Sequence, residues 1–332
     1  MKKAFAVFLV ASSSLLSLAQ GQPSSTDSKP PQNTASTAVA DCKSHQRSKL
    51  SRFWELEVGS DCGALGIRGY HPTSLSLIGS DGANLQPASS APGHSALAST
   101  AFSPTETRIQ LSVRTKIAQG LLTQGHPSAR DSLWFGYTQQ SYWQLFNSDL
   151  SRPFRTTDHE PEITYIYPTD AALPGGWRLR YSGLSLVHQS NGQALPLSRS
   201  WNRTVLMAGM EKGNDLRVTA RLWQRLPEPA GEDDNTGIDN LIGRAELATF
   251  WDVNPFNTVG VTLRHGLSSG DSGSIRLEWL KSFGDAPPSS ANPNSRTGLR
   301  FHVQLFSGYG DSLVDFNRKR NLLSVGLSLV DW

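Results

Sequence analysis

Short runs in which apolar and polar residues alternate one for one recur from about residue 66 to the C-terminus, and they restrict the fold more than any other feature. On an extended strand successive side chains point to opposite faces, so each run has one greasy face and one wet face. The clearest is 108–118, where Ile109, Leu111, Val113 and Ile117 share one parity and Gln110, Ser112, Arg114 and Lys116 hold the other. The pattern returns as Leu216, Val218, Ala220 and Leu222 against Arg217, Thr219 and Arg221. It returns again as Leu299, Phe301, Val303 and Leu305 against Arg300, His302 and Gln304, and as Leu323, Val325, Leu327 and Leu329 against Ser324, Gly326 and Ser328. A soluble sandwich gives such alternation by burying its apolar face. A membrane barrel gives it by turning that face to lipid and lining a hydrated interior with the other. Arg, Lys and Glu on the wet face of many strands suit the barrel interior.

About twelve such segments are expected, near 66–80, 105–118, 131–146, 161–168, 176–190, 201–212, 215–225, 241–251, 256–266, 272–284, 296–310 and 319–332. An even number returns both ends to the periplasmic side. Odd-numbered strands then run outward, which makes the long polar links 81–104 and 226–240 extracellular. Residues 169–175 are read as another of the longer polar links, and the charged group Asp158, His159, Glu160 and Glu162 as a solvated turn between strands. The fold class is therefore all-β: a transmembrane antiparallel β-barrel of about twelve strands with a flexible N-terminal arm. Trp332 ends the last strand on an aromatic, although on the Ser324/Gly326/Ser328 parity.

Before the strands, Met1, Lys2 and Lys3 form a basic head, 4–18 an apolar run, and Ser17-Leu18-Ala19 a small-x-small cleavage site. Residues 1–19 read as a secretory signal peptide. No later run of about twenty apolar residues exists, so a membrane location requires strands. Residues 20–63 are expected to be a flexible periplasmic arm, rich at first in Ser, Thr, Pro and Gln, with Trp54 and Leu56 packing near the barrel mouth. The barrel domain is expected over 64–332. In an oxidising compartment Cys42 and Cys62, the only two cysteines, are expected to be bridged. A net charge of +3 over 332 residues argues against a nucleic-acid or polyanion partner. The 37% hydrophobic content fits a one-sided barrel and a surface-rich soluble protein equally.

The chemistry concentrates in 188–203, HQSNGQALPLSRSWNR. His188 and Ser190 are two apart and share a strand face, so the imidazole can serve as base to the hydroxyl. Asn202 can hold the ring by its other nitrogen if 191–201 loops back into a new strand. Gly192 offers an uncrowded N–H to a developing oxyanion. The same letters also describe a polar turn closed by Asn-Gly. Leu184 and Leu186 share the parity of His188 and Ser190, which aims the pair at lipid. Arg178 and Arg180 share it too, and this requires them to snorkel at the periplasmic interface.

HQSNG followed by SRSWNR resembles the signature of the outer-membrane phospholipase A family, and 137–162, YTQQSYWQLFNSDLSRPFRTTDHEPE, resembles that family's other characteristic stretch. The similarity extends more weakly over 54–332. It implies a calcium-dependent, dimeric β-barrel phospholipase A1/A2 and lysophospholipase, acting on phospholipid in the outer leaflet of the bacterial outer membrane. By that resemblance Ser190 is the nucleophile, His188 the base and Asn202 its orienting residue. The Gly192 amide and a calcium-bound water stabilise the oxyanion. Ca2+, one per monomer, is taken by the Ser198 hydroxyl, the Gln193 carbonyl and the Ser151 carbonyl of the other subunit of a homodimer. Gln193 and Leu195 stand where Arg and Asp are common, which puts calcium affinity in question. Gln139 would make a polar contact across the dimer's membrane-embedded face, or else point into the lumen. Trp201 is expected at the membrane interface or behind Asn202. The rival readings are a non-catalytic pore or binding barrel and a soluble periplasmic β-protein.

Overall fold

A computed structural model of the chain describes Cys42 and residues 47–270, 272–283 and 298–329. The expected signal peptide and Trp332 lie outside the described residues. Thirteen strands follow one another: β1 (Ile67–Gly69), β2 (Thr73–Ser80), β3 (Thr105–Gln119), β4 (Ser132–Trp143), β5 (Thr156–Leu173), β6 (Trp177–Ser190) and β7 (Ser200–Lys212). They continue as β8 (Leu216–Arg225), β9 (Ala245–Asn254), β10 (Asn257–His265), β11 (Gly273–Ser282), β12 (Leu299–Gly308) and β13 (Arg320–Leu329). Each is antiparallel to its neighbour, and β2 pairs with both β13 and β3, so β2–β13 close into a twelve-stranded barrel. Closure leaves no open edge for water to satisfy, as a bilayer demands. The short β1 lies on the inner end of β3, and residues 70–72 part it from β2. Pro72 there has no N–H to give the ladder.

The alternation is inverted relative to a soluble protein. Along β3, Arg108, Ser112, Arg114 and Lys116 are buried while Leu111 and Ile117 are exposed. Around the wall Leu184, Leu206, Leu222, Leu263, Leu305 and Leu323 all face outward, Leu206 being 61% exposed. A belt of apolar side chains outside and charges inside is stable only with lipid around it. Trp251, Phe256, Trp279 and Phe283 add exposed aromatics toward the inner end, where such rings sit at the membrane–water boundary. Among the described residues no helix is long and apolar enough to cross a membrane.

The interior keeps a cavity of about 270 Å³ whose lining includes Trp54, Arg203, Arg221 and Leu313, and charged side chains pair around it. Arg203 pairs with Glu160 (2.7 Å), Arg221 with Glu162 (3.1 Å), Arg217 with Asp252 (3.1 Å) and Arg155 with Asp315 (3.0 Å). Asp158, Glu160 and Glu162 therefore belong to the lumenal face of β5 and not to a solvated turn. Polar residues inside a barrel read like a surface turn because both are wet in sequence. β5 is correspondingly longer than expected and runs through 169–173 as well.

Both ends are stopped. At the inner end helix α1 (Lys49–Trp54), capped by the Ser48 hydroxyl, inserts Leu50, Phe53 and Trp54 among Tyr70, Trp134, Ile166, Tyr181 and Met207. The Arg114 guanidinium lies 3.4 Å from the Phe53 ring centre. Glu55, just past the helix, takes ion pairs of 2.6 Å from both Arg68 and Lys116. The Leu50 amide donates to Glu211 (2.7 Å), and Cys42 is disulfide-bonded to Cys62. The segment expected to be a flexible arm is thus ordered from Lys49 onward. Its Leu50, Phe53 and Trp54 fall at the i, i+3, i+4 spacing of one helical stripe, but over too short a span to announce itself. At the outer end Leu313, Phe316 and helix α2 (Ile238–Ile242) pack with Val187, Trp201, Val205 and Trp223. Trp201 is fully buried there, under Arg203 at 4.2 Å, and does not reach the lipid boundary.

Truncating the central ring of the inner stopper should be costly. Trp54→Ala is expected to destabilise the protein by about 3–5 kcal/mol, the usual loss for a large buried aromatic. A lowered urea midpoint in detergent micelles measures it, and an unchanged midpoint would mean that α1 does not hold the barrel.

Candidate active site

The outer end of β6 and the start of β7 carry the residues singled out in the sequence. The register sets His188 opposite Asn202, Gln189 opposite Trp201 and Ser190 opposite Ser200. His188 is exposed on the side of the exposed Leu184 and Leu186, whereas Ser185 and Val187 are buried. The pair therefore looks out at the bilayer. The arginines that argued against this are reconciled by a bulge: the β6–β7 register shifts between Leu179 and Tyr181, so Arg180 and Tyr181 are buried in succession. An extra residue of this kind resets strand parity. Arg180 turns inward to Glu57 (2.9 Å), and Arg178, opposite the buried Glu211 in the ladder, falls on the same face at the exposed end of the strand, bonded to Asp170 (2.6 Å).

His188 Nδ1 lies 2.9 Å from Asn202 Oδ1. A carbonyl oxygen only accepts, so the ring proton sits on Nδ1 and Nε2 keeps its lone pair. That is the tautomer a general base needs. Asn202 Nδ2 in turn donates to Glu228 Oε1 at 3.1 Å. Ser190 lies two positions beyond His188, and its Oγ has no hydrogen-bond partner among the described residues, so this hydroxyl stands free on the same side of the strand.

Past Ser190 the chain turns at Gly192, whose φ of 62° is left-handed and easily adopted only without a side chain. A Cβ at this position would stand 3.6 Å from the His159 ring, which Tyr137 holds through a 2.7 Å bond to Nδ1. Two buried residues that the motif did not single out staple the 191–199 loop. Asn191 donates to the Leu197 carbonyl (2.7 Å) and accepts from the Arg199 amide (3.0 Å). Arg199 donates to the carbonyls of Ser198 (2.7 Å) and His94 (2.8 Å).

The expected calcium ligands are split. Ser198 Oγ donates to Asp234 Oδ2 at 2.7 Å, and the other Asp234 oxygen meets His94 Nε2 at 2.9 Å. Gln193 stands in the same loop, its amide Nε2 on the Arg155 carbonyl (3.0 Å). Ser151 is on the loop after β4, where its carbonyl accepts from Trp143 Nε1 (2.9 Å), and no contact joins it to Ser198 or Gln193 within one chain. A carboxylate, a hydroxyl and loop carbonyls are the hard oxygen donors that suit Ca2+. Asp234, on a loop remote in sequence, also brings the negative charge that Leu195 cannot. Sequence reasoning missed it because only the fold puts 226–240 beside 191–199.

Gln139 faces outward. It accepts from Tyr137 Oη (3.2 Å) and donates to Ser141 Oγ (3.2 Å), which also accepts from Thr157 (3.0 Å). Tyr137, Gln139, Thr157 and His159 form a polar strip on an otherwise apolar wall.

The sequence model of the family described as phospholipase A1 matches residues 50–329. The putative phospholipase A1 of Neisseria meningitidis serogroup B is 36% identical over 288 residues, spanning 85% of this chain and 70% of that protein. Phospholipase A1 of Escherichia coli (strain K12) is 32% identical over 226 residues, spanning 68% of this chain and 70% of its own. Among solved structures, outer membrane phospholipase A from Escherichia coli superposes with a TM-score of 0.66 at 26% identity, covering 82% of this chain and 94% of that one. The Salmonella typhi outer membrane phospholipase, a dimer with bound calcium, gives the same TM-score at 27% identity, covering 80% and 93%. The chain belongs to the phospholipase A1 family, as a bacterial outer-membrane β-barrel phospholipase.

Proposed function

We propose that this protein hydrolyses the acyl esters of phospholipids in the outer leaflet with a Ser190–His188–Asn202 triad, and that it does so as a calcium-dependent homodimer. The observation that carries this reading is the His188–Asn202 hydrogen bond on the lipid-facing side of the barrel rim, with Ser190 free beside it.

Ser190 Oγ attacks the ester carbonyl carbon while its proton passes to His188 Nε2. Asn202 Oδ1 holds the imidazolium through Nδ1–H without needing a full charge. The Gly192 amide is placed to donate to the tetrahedral oxyanion. Collapse releases the glycerol alkoxide, which takes the proton back from Nε2. Water, deprotonated by the same nitrogen, then cleaves the acyl-enzyme and frees Ser190. Ca2+ would be held by Ser198, the Gln193 carbonyl and Asp234, with the Ser151 carbonyl supplied by a second copy. When bound, it contributes positive charge beside the developing oxyanion.

Pairing of two copies is supported by the polar strip of Tyr137, Gln139, Thr157 and His159. Hydrogen-bonding groups facing lipid gain when a second protein surface replaces the acyl chains. The strip lies on β4 and β5, next to β6, so a partner docked there also stands beside Ser190. A ligand drawn from that partner couples assembly to activity.

Ser190→Ala is expected to lower phospholipid hydrolysis at least about 10³-fold, and a fluorophosphonate should label the wild type at Ser190 alone. Labelling elsewhere, or a hydrolytically competent Ala variant, would remove Ser190 from the mechanism. Chelation should silence the enzyme, and added Ca2+ should restore it; activity that persists in chelator contradicts the metal requirement. Across a detergent series the cross-linked dimer fraction should rise and fall with turnover, and a fully active monomer would sink the dimer reading.

A further inference from the structure

An asparagine in a triad faces a problem that an aspartate does not. Its amide has two ends of nearly equal shape and opposite hydrogen-bonding sense, Oδ1 accepting and Nδ2 donating. Were Nδ2 turned toward His188, the ring would have to accept on Nδ1 and carry its proton on Nε2. It could then take nothing from Ser190. Some group must hold the amide the right way round.

Glu228 occupies the place from which this can be done. Its Oε1 accepts from Asn202 Nδ2 at 3.1 Å, on the far side of the amide from the 2.9 Å contact between Oδ1 and His188. A carboxylate cannot donate, so only one amide orientation satisfies it. Glu228 is itself tethered: Oε2 accepts from Arg225 at 2.9 Å, and Arg225 donates to Asp233 at 2.6 Å. The backbone brings the loop alongside, because the Leu226 amide donates to the Asn202 carbonyl at 2.8 Å. The side chains of Glu228 and Arg225 are only 15% and 11% exposed, so the relay is sheltered from solvent.

We propose that Glu228 is a positioning residue of the catalytic centre, locking the Asn202 amide with Oδ1 toward His188 and setting a negative charge behind it. This rests on the Ser190–His188–Asn202 reading. Two carboxylates around one guanidinium leave a net negative charge in the cluster of Glu228, Arg225 and Asp233. Acting through the amide, that charge favours the imidazolium formed when Ser190 gives up its proton. Asn202 thereby gains at one remove the anion that it lacks itself. Burial raises the Glu228 carboxyl above the ordinary glutamate value, against the pull of Arg225 and Asn202. Arg225 at the end of β8, Asp233 in the same loop and His188 across the amide are the ionisable groups of this cluster.

The test compares wild type with Glu228→Ala, Glu228→Gln, Asn202→Ala and the Asn202→Ala/Glu228→Ala pair, each checked for heat-modifiable migration and assayed on phospholipid in mixed micelles with Ca2+. Glu228→Ala should lower kcat about 10–100-fold with KM nearly unchanged, the range usual for loss of a group that orients another. Glu228→Gln keeps an acceptor and should recover most of kcat. Loss of the negative charge behind the amide removes its support for the imidazolium, so the acidic limb of the pH–rate profile should move to lower pH. The double variant should be no slower than Asn202→Ala alone. Wild-type kcat and an unmoved limb in the Glu228 variants overturn the proposal while leaving the triad intact, as does a double variant whose losses multiply. Full activity in Asn202→Ala would instead bring down the triad reading and this inference with it. If Glu228→Ala does not fold, the acidic limb of Glu228→Gln decides alone.

Discussion

A bilayer offers no hydrogen bonds, and that single deficit organises the molecule. Every backbone group crossing it must find a partner in the wall, so the sheet closes on itself. Once closed, the wall has an outside that must be apolar and an inside that has no such obligation. The charged residues gathered inside pair with one another, Arg203 with Glu160 and Arg221 with Glu162. Burying an ion pair is a weak source of stability, because desolvation offsets much of the attraction. Its effect here is geometric: long side chains fixed by partners across the lumen make a stiff cylinder on whose rim a catalytic group can be held.

Stiffness matters because the residues of the candidate site are few and far apart in sequence. His188 and Asn202 meet through strand register alone. Asp234 and Glu228 join them from the loop after β8, and His94 from the loop after β2. The outer loops are held down by buried polar staples, Asn191 and Arg199, and by the plug of Leu313 and Phe316 beneath them. Both ends of the barrel are stopped by packed side chains, Phe53 and Trp54 at one and Leu313 and Phe316 at the other.

Much of this was legible in the sequence because period-two alternation is a direct image of a two-faced strand. All twelve strands of the barrel were found, most within a few residues at their ends, but β5 was taken five residues short at each end and the expected 66–80 is two strands, β1 and β2. What stayed hidden has a common cause. Residues 158–162 were taken for a turn because a lumenal side chain and a solvated one are written in the same letters. Lys49–Trp54 is too short for a helical period to stand out from its polar surroundings. Trp201 was expected at the membrane interface or behind Asn202 because an aromatic beside a polar motif suits a boundary as well as a core. Spacing offers His188 and Ser190 as a candidate pair and the resemblance singles them out, but Glu228 and Asp234 carry no such signal, since only the fold brings their loop beside 191–202.

The bulge at Arg180 has a consequence for how such a strand can change. β6 is two half-strands with independent facing, joined by a residue that belongs to neither. Below the joint, side chains answer to the stopper and its ion pairs; above it, they answer to lipid and to the candidate site. Substitutions in one half need not be matched in the other. The inner seal and the outer chemistry are therefore open to separate histories, though a single continuous ladder of hydrogen-bonded backbone carries both.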